Sequence, residues 1–207
     1  MVSPARPLLR GYIHLLAALL SPAALVALLL IANSPRAVVG AAIFGAALIL
    51  LHATSAAYHV LQLSRLRRLD HAMIYVFIAS VFTPFTLKVL GNAWGIPILA
   101  VIWGLAALGF ALALTSKAES RWLRTGPYVA LGWVGVIPMY KLWQLLPHEA
   151  FALLLLGGLT YSIGGIVYAT RRPDPYPAVF GYHEVFHSIT LAATGMFYFV
   201  VARYVMP

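Results

Sequence analysis

Near the end of the chain, the five residues HEVFH, His183 to His187, put two imidazoles one helical turn apart with a glutamate beside the first. Positions i and i+4 of a helix share a face, so the pair can grip one metal ion, as in the H-E-x-x-H motif of zinc proteases. In a protease Glu184 would be the general base, although on a helix it lies about 100° round from His183. Thr190 and Thr194 carry the same stripe onward as a polar seam. In LHATSAAYHV, His52, Ser55 and His59 follow i, i+3, i+7 spacing and stack on one face. LDHAMIY adds Asp70 and His71.

These types suit one kind of chemistry. The chain has no cysteine, so a metal would be held by His, Asp, Glu or water. Three histidines with an open fourth position fit a catalytic Zn²⁺, and His59, His183 and His187 are the candidates. An all-nitrogen set also accepts other transition ions. Asp70 would hold the attacking water or take its proton, and Ser55, one turn before His59, would supply a hydrogen bond to the site.

Each residue has a plainer use. Asp70 precedes an apolar run and can be an N-cap. His183 can sit in interfacial water, and Ser55 can bond back to its own helix. His52 lies two turns deeper than His59 and suits a supporting place rather than ligation. His71 points away from Asp70, towards the interface. His14 and His148 fall at helix ends and carry no site argument. Only the joint pattern favours a site.

The elements that would position these residues are membrane spans. The chain has 207 residues, 62% hydrophobic and 9% charged, with mean hydropathy +0.90. Soluble domains carry about 25% charged residues, so this composition requires lipid as solvent. Apolar runs fall near 11–32, 37–60, 71–90, 95–115, 127–145, 150–169 and 183–205. Each is about the twenty residues that cross some 30 Å of hydrocarbon. The expected fold is therefore all-α, a single seven-helix transmembrane domain over residues 1–207. Pro22, Pro84 and Pro138 should bend their helices. No secretory signal is visible: the run after Arg6 and Arg10 lacks a small-residue cleavage site and reads as a retained span.

Charge orients the bundle. With seven spans, Arg6, Arg10, Arg65, Arg67, Arg68, Lys117, Arg121, Arg124, Arg171 and Arg172 share one side, against Arg36, Lys88, Lys141 and Arg203 on the other. The positive-inside rule then puts the N-terminus in the cytoplasm and the C-terminus outside. The net charge of +9 is thus an orientation signal, with no nucleic-acid partner implied. His59, Asp70, His183 and His187 all fall within a turn or two of the cytoplasmic boundary. Eleven arginines against three lysines suggest a bacterium with a GC-rich genome, hence an inner-membrane location.

SAAYH (Ser55 to His59), LDHAMIYVFIASVFTPF (Leu69 to Phe85) and FGYHEVFH (Phe180 to His187) resemble the signatures of the haemolysin III family, part of the progestin and adipoQ receptors, in a wider superfamily with alkaline ceramidases. RRPDPYP before the last run also fits, and Ala79 and Ser80 depart mildly from a glycine-threonine pair common in relatives. The resemblance covers nearly the whole chain. It implies seven spans with the N-terminus inside, zinc ligands at His59, His183 and His187, Asp70 as the acid that holds water, and Ser55 as the serine of the S-x-x-x-H motif. No large soluble region precedes the first run, which argues against hormone recognition.

Three functions follow as expectations. The first is a zinc-dependent hydrolase of a lipid amide, ceramide-like or fatty-acyl, with the amide suggested by the superfamily. The second is a pore or cytolytic channel, as the family name implies, although the runs lack rings of charge. The third is a structural or regulatory protein in which zinc staples helices. An intramembrane HExxH protease is a further alternative. It would recruit a carboxylate ligand, and no Asp or Glu follows Glu184. Substrate identity and oligomeric state are not legible.

Overall fold

The computed structural model describes residues 9–115 and 120–207, with helices in chain order: α1 (Leu9–Ile31), α2 (Pro35–Leu61), α3 (Ser64–Pro84), α4 (Gly91–Thr115), α5 (Arg121–Trp133), α6 (Met139–Leu145), α7 (His148–Thr170) and α8 (Tyr182–Val200). Arg6, the Arg10 side chain and Lys117 lie outside the described residues. Two π-helical turns, Phe85–Val89 and Val201–Val205, prolong α3 and α8, and a 3₁₀ turn, Val134–Val136, lies between α5 and α6. There is no strand among the described residues, so the architecture is all-helical.

Among the described residues, six helical stretches are long and apolar enough to cross a membrane: Gly11–Ile31, Pro35–Leu61, Ser64–Val89, Gly91–Thr115, His148–Thr170 and Tyr182–Val205. Their outer faces are lined by large apolar side chains, such as Leu19 (69% exposed) and Leu30 (80%). A surface like this is stable only against lipid. The fifth expected run is not one helix. It divides into α5, the 3₁₀ turn and α6, because Pro138 has no N–H to continue the ladder and Gly132 and Gly135 weaken it just upstream.

Local signals set the other boundaries. Ser34 caps α2, its hydroxyl accepting from the Ala37 N–H at 3.3 Å, with Pro35 in the first turn. Gln62 ends α2 in the left-handed conformation, φ 56°. Helix α3 begins at Ser64, seven residues before the expected start at 71. Arg65, Arg67 and Arg68 are strong helix formers and prolong the helix past its apolar part.

Neighbours in sequence pack in space: α1 on α2, α2 on α3, α3 on α4, α7 on α8, with α5 against α7 and α3 and α8 against α1. The core between them holds Leu28, Phe44, Ile102 and Val200, all fully buried. Polar groups within helices mostly bond back to their own backbone, as Thr83 does to Ala79 O at 3.0 Å, and Thr83 also accepts from Trp103 Nε1 at 3.1 Å.

The bundle has two polar ends. At one, Arg121 at the start of α5 donates to the Tyr182 hydroxyl at the start of α8 (2.8 Å) and to Tyr168 O near the end of α7 (3.4 Å). At the other, the Asn33 N–H donates to Met206 O (3.1 Å), Arg36 donates to Asn92 Oδ1 (2.9 Å), and Tyr204 donates to Glu149 Oε1 (2.7 Å). The start of α5 is thus tied to one end and the start of α7 to the other, with the broken α5–α6 run between them.

Candidate metal centre

The histidines gather at the first of these ends. Helix α2 brings His59 in its last turn, and α8 brings His183 and His187 in its first turns. Ring centroids stand 5.4 Å apart for His59 and His183, 5.3 Å for His59 and His187, and 4.4 Å for His183 and His187. His187 is buried and the other two are half-buried.

A fourth imidazole joins them. His14, in the second turn of α1, is 7% exposed and its ring stands 4.2 Å from that of His187 and 5.8 Å from that of His59. One nitrogen each of His14, His59 and His187 lie within 4.8 Å of one another, a spacing that could hold a metal ion. The expectation that His14 carries no site role is therefore corrected. The signal that could have found it is topological: α1 starts at the same end as α8 and also carries a histidine near its start. His52 lies behind His14, Nδ1 to Nδ1 at 3.2 Å.

Asp70 stands on α3, half-buried, in the second turn rather than before the helix. Its N-cap role is excluded, since the residue before α3 is Leu63. The Ser55 hydroxyl donates to the Asp70 carboxyl, so Ser55 links α2 to α3. His71 is half-buried and borders the same cavity, and its carbonyl accepts from the Tyr128 hydroxyl at 3.2 Å. His148 stacks on Trp143 at 4.3 Å, at the start of α7 and away from the cluster.

Glu184 is fully buried. Its Oε2 accepts from the Gly181 N–H at 2.9 Å, and Asp174 Oδ1, from the RRPDPYP loop, accepts from the Tyr182 N–H at 2.8 Å. Both carboxylates thus satisfy donors that α8 leaves open at its N-terminus, where negative charge is favoured. Beyond His187 the seam bonds back to its own helix, Thr190 donating to His187 O (3.0 Å) and Thr194 to Thr190 O (2.8 Å), and the Thr194 hydroxyl also meets the Tyr161 hydroxyl of α7.

The cluster and Asp70 form part of the wall of a cavity of about 500 Å³. Arg67, Arg121 and Arg124 border its polar end, and Phe77, Val81, Phe85, Leu142, Phe151 and Leu154 line its apolar depth. One end therefore offers imidazole, carboxyl and guanidinium groups, and the rest is mainly hydrocarbon interrupted by hydroxyls such as those of Thr86, Tyr161 and Ser162.

The sequence model of the family described as "Haemolysin-III related" matches residues 2–198. This chain belongs to the haemolysin-III related family. Among relatives, it is 32% identical over 198 residues to the "Hemolysin-3 homolog" of Bacillus subtilis (strain 168), covering 92% of this chain and 90% of that one. It is 31% identical over 201 residues to "Hemolysin-3" of Bacillus cereus, covering 94% and 89%. The family's tie to the adiponectin receptors is visible as well. The "Adiponectin receptor protein" of Drosophila melanogaster is 27% identical over 165 residues, 72% of this chain and 37% of that one. No solved structure matches. Membership and six apolar helices together make this haemolysin-III related chain an integral membrane protein.

Proposed function

We propose that the chain is a seven-span membrane protein that binds zinc through His59, His183 and His187 and hydrolyses an amide of a membrane lipid. The observation that carries this reading is the meeting of the His59, His183 and His187 rings from separate helices beside the Ser55–Asp70 pair, on the wall of a cavity whose depth is mainly apolar. The donor set fits the ion: neutral imidazoles suit zinc, and a cavity alongside leaves room for a fourth, exchangeable partner. Bound there, zinc would polarise the substrate carbonyl and make water a better nucleophile.

The chain's own residues do the rest. Asp70 takes a proton from the attacking water and returns it to the leaving nitrogen, a role worth about 10²–10⁴-fold. Ser55 holds the carboxyl in place. The apolar walls take an acyl chain and exclude bulk water, and the guanidinium groups keep the mouth polar. The place of α5–α6 between the two tied ends supports a seventh crossing, and the basic residues support a cytoplasmic N-terminus, an outside C-terminus and a site near the cytoplasmic face of a bacterial inner membrane.

Elemental analysis of the purified protein against His187→Ala tests the site. Stoichiometric zinc that disappears in the variant is expected, and equal metal in both would sink it. A lipid-amide hydrolysis screen then compares native protein with Asp70→Ala. Loss of turnover with zinc retained is expected, and undiminished turnover removes the acid–base role.

The names of the Bacillus relatives favour a second reading, membrane permeabilisation. Dye leakage from liposomes that ignores both a chelator and His187→Ala would support the pore over the hydrolase.

A further inference from the structure

The imidazoles of the cluster differ in what holds them. His14 lies on the buried stripe of α1 with Ala17, Ser21 and Leu28, while Leu15, Leu16, Leu19 and Leu20 face outward. Helix α1 approaches α2 closely here, for a Cβ built on Gly11 would stand 3.8 Å from the Cβ of His59. The His14 ring is therefore fixed on two sides. Its Nε2 stands 2.7 Å from Nδ1 of His187, and its Nδ1 stands 3.2 Å from Nδ1 of His52.

The shorter distance separates two roles. Two nitrogens bound to one tetrahedral zinc, each about 2.0–2.1 Å from it, stand roughly 3.3 Å apart. A separation of 2.7 Å is that of a hydrogen bond. Proton count then gives its direction. If the Nδ1 of His187 accepted the bond, its proton would sit on Nε2 and neither nitrogen could ligate. If Nδ1–H donates, Nε2 carries the lone pair. The remaining protons follow with every ring neutral: His14 accepts at Nε2, donates from Nδ1 to Nδ1 of His52, and His52 keeps its proton on Nε2.

We propose that His14 is a positioning residue of the metal site. It accepts the Nδ1–H of His187 and so fixes the tautomer and ring orientation in which His187 ligates through Nε2, with His52 holding His14 in turn. Partners of this kind raise ligand basicity, and their removal typically costs about 10–100-fold in metal affinity. The inference rests on the metal-site reading above and adds to its helices α2, α3 and α8 a fourth, α1, that contributes no ligand.

The test uses the full-length protein in detergent, with zinc affinity read by chelator competition and coordination read from the visible spectrum of the Co²⁺ form. His14→Phe keeps the ring volume and removes the acceptor. His14→Gln keeps an acceptor where Nε2 was. The expected result is zinc binding weakened about 10–100-fold in His14→Phe, recovered to within about threefold in His14→Gln, with the native Co²⁺ spectrum in the latter. His52→Phe, which removes only the support of His14, should weaken binding by a smaller factor and serves should His14→Phe not fold. Native affinity in His14→Phe or, where that variant does not fold, in His52→Phe overturns the proposal. So does a His14→Gln form that binds as poorly as His14→Phe with a changed Co²⁺ spectrum, because His14 would then be a ligand. A native protein that binds neither metal sinks the metal-site reading itself, and this proposal falls with it.

Discussion

Glu184 shows how much a single side chain's partners decide. Within HEVFH it occupies the position of a protease's general base, yet it is fully buried and bonded to the Gly181 N–H. A helix cap of this type stabilises by about 1 kcal/mol. Glu184→Gln, which can still accept that bond, should leave metal content and any lipid-amide turnover near native. Glu184→Ala should lower the melting temperature by a few degrees while zinc stays bound. Thermal melts with metal analysis check both. Metal-dependent turnover that vanishes in Glu184→Gln would return the protease reading. Asp70, by contrast, sits on the cavity wall with its carboxyl bonded by Ser55. Ser55→Ala should therefore reduce turnover less than Asp70→Ala, because it misaligns the acid–base group without deleting it.

At the scale of the element, helix α4 shows how close approach depends on missing side chains. A Cβ on Gly95 would stand 1.9 Å from the carbonyl oxygen of Thr86, in the π-helical turn after α3, and a Cβ on Gly109 would stand 2.3 Å from the ring of Tyr75. Gly104, on the same helix, would meet nothing within 4 Å. Packing of small residues is what lets membrane helices touch. Gly95→Ala should therefore cost at least about 1–3 kcal/mol, since a backbone atom has to move. Gly104→Ala should be neutral or stabilise by up to about 1 kcal/mol. Unfolding of the two variants in mixed micelles gives the comparison. Equal stability would mean that α4 does not lie against the turn after α3 as described. Helices α5 and α6 illustrate the opposite effect: Pro138 and nearby glycines divide one apolar run into two short helices.

For the whole molecule, the two tied ends determine which segments share a face. The α2–α3 and α7–α8 connections lie at the site end, and the α3–α4 connection at the other. Because the chain has no cysteine, single cysteines report sidedness without background. Cysteines at Gln62 and Tyr176 should be labelled from the cytoplasmic side of intact cells or vesicles, and one at Asn92 from the outside. Labelling of Gln62 and Tyr176 from opposite sides would remove the seventh crossing. The exposed leucine-rich flank of α1 also predicts aggregation when detergent is withdrawn, with recovery in lipid.

The sequence by itself determined the solvent and the all-helical architecture, because hydropathy and the span length of a bilayer act on local stretches of chain. The order and alternation of its apolar runs were enough to bring His59, Asp70, His183 and His187 to one end of the bundle. Boundaries were less legible where polar helix formers prolonged an apolar run, as at Ser64 to Asp70. Only the tertiary structure decided that His14 enters the cluster, that Glu184 turns back to cap its own helix, and that Ser55 faces Asp70. Those outcomes depend on the rotation of each helix about its axis and on which neighbour it meets. Side-chain packing between helices sets both, and no periodicity within a single helix encodes them.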